Sequence, residues 1–178
     1  MALNCNLTKD LLRAGTCGYS LPEVKDIYIA NYNDVTTAQS AYDCASGVTI
    51  TAVTLSGSAK FYHIEPAKNS VSFTDELVVE DNGRKYRTHT LTFSLDGKYD
   101  KDKVCPVDAL SLGRFIAVVV TADGEWLMLG NKVGLEASAQ STSGGQDSNG
   151  ITITLSANVA ESVYPLNQDA IDDVKGSN

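Results

Sequence analysis

Two histidines, four cysteines and a scatter of carboxylates are the residues of this chain that could carry chemistry. His63 sits in Lys60-Phe61-Tyr62-His63-Ile64 and His89 in Thr88-His89-Thr90-Leu91. A hydrolytic centre needs a nucleophile, an acid–base group and a third group to aim them. Both histidines instead lie inside alternating, strand-like stretches beside aromatic or apolar neighbours, which reads as packed or cross-strand histidine. Cys5, Cys17, Cys44 and Cys105 form no Cys-x-x-Cys pair and have no histidine at metal-ligand spacing. Free thiols are the reading for a reducing cytoplasm, with a Cys5–Cys17 bridge as the alternative. Gly130-Asn131-Lys132-Val133-Gly134 lacks the Gly-Lys-Ser/Thr ending of a phosphate loop. Asp147-Ser148-Asn149-Gly150 matches a calcium loop only in part, without the regular acidic spacing or the closing Glu. No Gly-x-Ser-x-Gly is present. The sequence therefore assigns no catalytic, cofactor-binding or metal-binding residue and points to binding or assembly. An enzyme built from scattered loop residues is the outlying alternative.

Charge narrows the partners. Lys and Arg total 14 against 22 Asp and Glu, a net charge of −8 over 178 residues. A protein that grips nucleic acid needs basic patches to meet phosphates. A negative surface suits one that nucleic acid slides past by like-charge repulsion, or one that is simply kept soluble. No apolar run approaches the roughly 18 residues of a membrane-spanning helix. The first fifteen residues show neither a basic leader nor a continuous apolar core, so the expectation is a soluble chain without a signal peptide.

The elements that must position these residues are strands. Residues 110–136 are the organising stretch: the run Phe115-Ile116-Ala117-Val118-Val119-Val120, a turn at Asp123-Gly124, then Trp126-Leu127-Met128-Leu129. Asp-Gly between apolar runs is a strong hairpin signal, and β-branched side chains suit a pleated surface. A second long hairpin spans residues 71–95 around Asp81-Asn82-Gly83, with Tyr86, Thr88, Thr90, Thr92 and Ser94 on one face. Arg87, His89, Leu91, Phe93 and Leu95 take the other face. Further strands are expected over residues 23–32, 48–55, 60–64 and from 151 to 155, the last extending towards 163. One short helix is expected at residues 106–113, with Pro106 near its start and Gly113 as its cap. Residues 1–20 read as an N-terminal arm with a short amphipathic stretch over 3–12. Residues 33–47 and 137–150 read as flexible loops, residues 96–103 as a charged loop and 167–178 as an acidic tail. Together these predict one mainly β domain of about eight strands, sandwich- or barrel-like.

The order of signals resembles a known family. Ile27-Tyr28-Ile29-Ala30-Asn31-Tyr32 follows an early Gly-rich turn, and Lys60-Phe61-Tyr62-His63-Ile64-Glu65-Pro66 feeds Ser72-Phe73-Thr74-Asp75-Glu76-Leu77. A helix then precedes Gly113-Arg114, and Trp126-Leu127-Met128-Leu129-Gly130 runs to Gly134-Leu135. A Ser/Gly-rich loop closes with Asp147-Ser148-Asn149-Gly150-Ile151-Thr152-Ile153-Thr154-Leu155. This ordered set, over most of residues 15–165, resembles the tail tube proteins of tailed bacteriophages and prophages of Bacteroides-like hosts. The resemblance implies a virion structural protein, made in the bacterial host cytoplasm, whose copies form rings, typically hexameric, with their sheets joined around a lumen. The rings stack through loops and arms and meet other tail proteins, and DNA passes the lumen, commonly acidic, without specific binding. On physical grounds residues 33–47 and the hairpin 71–95 are the expected contacts between rings or neighbours, through open edges and segments that order on assembly. Alternatives are a head–tail connector or capsid decoration protein, and a carbohydrate-binding β-sandwich, which would want exposed aromatics clustered on one face.

Overall fold

A computed structural model describes residues 23–43, 47–96, 101–144 and 149–176. The fold is mainly β. Its strands in chain order are β1 (Val24–Asn31), β2 (Val35–Asp43), β3 (Gly47–Leu55), β4 (Tyr62–Ile64), β5 (Ser72–Val79) and β6 (Lys85–Asp96), followed by helix α1 (Lys101–Leu112). Then come β7 (Arg114–Thr121), β8 (Trp126–Leu129), β9 (Leu135–Gly144), β10 (Asn149–Val159), β11 (Tyr164–Pro165) and helix α2 (Gln168–Gly176).

Nine strands form one antiparallel sheet, and β2 and β3 form a separate ribbon. The large sheet has two leaves. The first runs β4-β1-β7-β8-β11 and the second β9-β10-β6-β5. They are joined at one corner by two residue pairs, Arg114↔Glu136 and Phe115↔Leu135. The leaves pack face to face through Ile27, Ile29, Phe115, Ala117 and Val119 of the first and Leu91, Phe93, Ile151, Ile153 and Leu155 of the second. Each buried Val, Leu, Ile or Phe side chain among these contributes about 1.5–3 kcal/mol. The strict alternation along β7 sends Ile116 and Val118 to the opposite face, where Ile50 and Val53 of the ribbon and Ala170 and Val174 of α2 cover them. The six-residue apolar run of β7 is thus explained: its strand is buried on both faces.

Four expectations are corrected. Residues 35–43 are strand rather than loop, because β3 offers a complete antiparallel partner from Val35↔Leu55 to Asp43↔Gly47. Residues 137–144 and 149–150 are strand as well, laddered to β10 and β6; their polarity reflects exposure, not the lack of a backbone partner. The acidic tail is helix α2 over most of its length. Asn167 caps it by accepting the Ala170 N–H at 2.9 Å, and Ala170 and Val174, four residues apart, are buried. The described residues therefore form two α-helices and eleven strands, where one helix and about eight strands were expected. α1 begins at Lys101 and carries Pro106 in its interior, so the expected loop residues 101–103 form its first turn. Gly113 does end α1, its N–H bonded to Ala109 O at 2.8 Å. The expected arm over residues 1–20, the Cys5–Cys17 bridge, Cys44 and the loop residues 97–100 and 145–148 lie outside the described residues. Among the described residues, no helix is long and apolar enough to cross a membrane.

Candidate functional site

Three features offer more than packing: a buried polar knot, a stacked ladder on the first leaf, and the outer face of the second leaf.

The knot lies under the β5–β6 hairpin. The register Asp75↔His89 and Leu77↔Arg87 sets these side chains on the inner face, where the sandwich core runs out. Arg87 Nε donates to Asp75 Oδ1 at 2.5 Å, and the Val163 N–H donates to Asp75 Oδ2 at 3.1 Å. Burial alone would raise the Asp75 carboxyl. The Arg87 and Val163 hydrogen bonds and the positive neighbours outweigh it, and the carboxyl is held below its ordinary value. His89 is 1% exposed; its Nδ1 accepts the Gly130 N–H at 3.3 Å and its Nε2 lies 3.5 Å from Asp75 Oδ1. Burial, with Arg87 nearby, pushes the imidazole below its ordinary value against the pull of Asp75, so His89 is neutral at pH 7. Beside the knot, an open cleft of about 480 Å³ is lined by Val48, Leu77, Lys85, Arg87, Ser162 and Pro165.

The ladder crosses the outer face of the first leaf. Tyr28 stacks on His63 at 4.8 Å between centroids and on Trp126 at 5.3 Å, each pair tilted 24°. Lys175 Nζ of α2 lies 4.9 Å over the Trp126 ring, and His63 Nε2 meets Asp26 Oδ1 at 2.9 Å. Burial, then the Asp26 charge, raises the Tyr28 phenol, which stays protonated. The His63–Asp26 pair has the form of a base and its orienter, but the other partner of the ring in this ladder is Tyr28, not a nucleophile. The ladder ties β4, β1, β8 and α2 together. Sugar platforms need ring faces open to solvent; here the inner ring faces are occupied by one another and that of Trp126 by Lys175.

The outer face of the second leaf is built from hydroxyls. Cross-strand rows run Thr154–Thr92–Ser72, Ser156–Thr90–Thr74 and Asn158–Thr88–Glu76. Adjacent groups bond one another: Thr92 to Thr154 at 3.1 Å, Ser94 to Thr152 at 2.8 Å and Thr88 to Asn158 at 3.0 Å. The charges at these rows are Glu76 on β5 and Glu136 opposite Ser156 on β9, the latter ion-paired with Arg114 of β7. Neither edge of this leaf has a further strand partner among the described residues, although α1 packs against β9. β5 pairs with β6 alone, and residues 137–144 of β9 pair with β10 alone.

The sequence brought together the Thr/Ser face and the inward face of His89, both from period-2 alternation. It did not bring Asp75 to His89, nor Gly130 to either, because those approaches are set by strand register and by a turn 41 residues away. Cys105 is exposed on α1. Among the described residues, no group of three or more His, Cys, Asp or Glu could hold a metal ion. No protein-family model, curated protein or solved structure matches the chain.

Proposed function

We propose that this chain is a virion structural protein whose copies assemble into stacked rings, the tail tube of a tailed bacteriophage, and that DNA passes through the lumen. The observation that carries this reading is the second leaf, which is open at both edges and faced with hydroxyls. Its four strands alternate in direction, so β5 and β9 run opposite ways. When β5 of one copy meets β9 of the next, the seam continues the antiparallel pattern. Such a head-to-tail contact makes a closed ring where the rotation per copy permits. An unpaired edge is a ready template for strand addition. The face turned to the lumen would then carry Thr88, Thr90, Thr92, Ser94, Thr152, Thr154 and Ser156, with Glu76 and the Arg114–Glu136 ion pair as its charges. Hydroxyls and carboxylates give phosphates no counter-charge to exchange, and the Arg114 guanidinium is already held by Glu136, so DNA slides rather than sticks. Six copies per ring is the number the family resemblance implies. The β2–β3 ribbon and the β5–β6 hairpin tip, with Leu77 58% and Val79 56% exposed, are the contacts offered to adjacent copies or rings. Other tail proteins at the tube ends and a location in the virion, after synthesis in the host cytoplasm, complete the reading.

The test is negative-stain electron microscopy of the purified chain over a range of concentrations, with its mass in solution. Rings or stacked tubes with an open lumen are expected. A compact dimer that never closes into a ring would overturn the proposal. Rings that never stack would move it to a connector.

A further inference from the structure

The assembly reading makes no use of His89, although the ring is buried and hydrogen-bonded on one side only. A backbone N–H can only donate, so the Gly130 contact at 3.3 Å requires a bare lone pair on Nδ1 and puts the proton on Nε2. Nε2 lies 3.5 Å from Asp75 Oδ1, too far for a good hydrogen bond, and has no hydrogen-bond partner of good geometry, although the Glu161 backbone favours its proton. Asp75 has hydrogen-bond partners other than the imidazole. Arg87 and the Val163 N–H already hold its two oxygens.

We infer that His89 is a proton-driven switch: neutral, it holds the turn at residues 130–134, and protonated, it turns to Asp75 and lets the turn go. A proton added at Nδ1 sets two donors against each other across the Gly130 contact. The same proton gives the ring a charge that Asp75 attracts. The turn is a distinct unit. Gly130 has φ +74°, and Gly134 N–H and Val133 N–H close back on Gly130 O at 2.7 and 3.4 Å. It also carries Asn131, whose Nδ2 donates to Glu161 Oε2 at 3.4 Å, and Lys132, which is ion-paired with Glu161. Release of the turn is therefore felt at residues 160–163, one wall of the cleft beside the knot.

The charged groups around the ring come from four elements. Asp75 of β5 favours its protonation and Arg87 of β6 opposes it. Glu161, between β10 and β11, favours it through its backbone and is itself paired with Lys132 of the turn. Burial opposes it most, so the change falls on the acid side of an ordinary histidine, below about pH 6.5.

The experiment uses the full chain labelled with ¹⁵N. Imidazole nitrogen shifts and amide exchange protection are followed from about pH 7.5 to about pH 4.5. The expected result is an Nε2–H tautomer at neutral pH. On titration of the ring, protection at Val133 and Gly134 should fall about tenfold or more, while the β6 and β10 ladder amides keep theirs. His89→Asn carries an amide oxygen that can accept the Gly130 N–H and cannot titrate; its protection should stay flat. An Nδ1–H tautomer, a ring that stays neutral throughout, unchanged protection across its titration, or the same loss in His89→Asn would each overturn the switch. If His89→Asn does not fold, the tautomer and the protection profile of the unaltered chain decide.

Discussion

At Gly130 a single hydrogen atom in place of a side chain decides whether the β8–β9 turn can exist. A Cβ there would fall 2.8 Å from Leu135 Cγ, at a φ of +74° that L-residues rarely adopt. Gly130→Ala is expected to cost about 2–3 kcal/mol, read as a lower urea midpoint with unchanged slope. The neighbouring knot sets the acid response of the whole chain. His89 is held below its ordinary value in the fold, so below about pH 6.5 the unfolded chain takes up more protons and stability falls as pH falls. Asp75 is also held low; its contribution is fully present above about pH 4 and is lost as pH drops further. Urea titrations at neutral, mildly acidic and strongly acidic pH should show stability declining in both steps. His89→Asn should flatten the upper step and Asp75→Asn the lower. A stability that rises on acidification would contradict both assignments.

Individual elements were legible to different degrees, and the reason lies in what each strand touches. The hairpins at β5–β6 and β7–β8 announce themselves because turn residues and alternation are local signals. β2, the distal half of β9 and α2 did not. Thr36, Ala38 and the run Ser138, Ala139, Gln140, Ser141, Thr142 carry little hydrophobic pattern, the last five being exposed on both faces of the strand, although each strand's ladder partner follows it directly in sequence. α2 is docked by only two buried side chains on an acidic background, with Asp173 accepting the Val53 N–H of β3 at 3.0 Å. That carboxylate covers a ladder donor on the open side of the ribbon. Val174→Asp should therefore undock α2: helical circular dichroism falls, and protease cuts within residues 168–176 while the sandwich stays protected. Asn167→Ala, which removes only the cap, should cost about 1 kcal/mol and leave α2 in place. Of the candidate site, the hydroxyl face was readable as a column of alternate Thr and Ser. The knot was not, because Asp75, Gly130 and Val163 approach His89 from three separate elements.

At the scale of the whole molecule, closure into a ring depends on the two free edges of the second leaf. Gln140→Glu with Thr142→Glu would set new carboxylates on the β9 edge, in the seam proposed with a neighbour's β5. These positions are exposed, so the melting temperature of the isolated chain should move little while rings disappear from micrographs. Loss of the fold instead of the ring would show that the edge serves the chain itself. Among the described residues the two leaves meet along their strands at one corner, where Arg114 pairs with Glu136 and Phe115 with Leu135. Arg114 Nε reaches Glu136 Oε1 at 2.7 Å, and the Tyr32 hydroxyl donates to Lys132 O at 2.6 Å, but the ion pair is half exposed and so contributes about 1 kcal/mol at most. Under load the molecule behaves like a book bound at a short spine. A pull that separates the covers works against those two pairs and the apolar packing between the leaves, whereas a pull along the strands is shared by every rung of both pages.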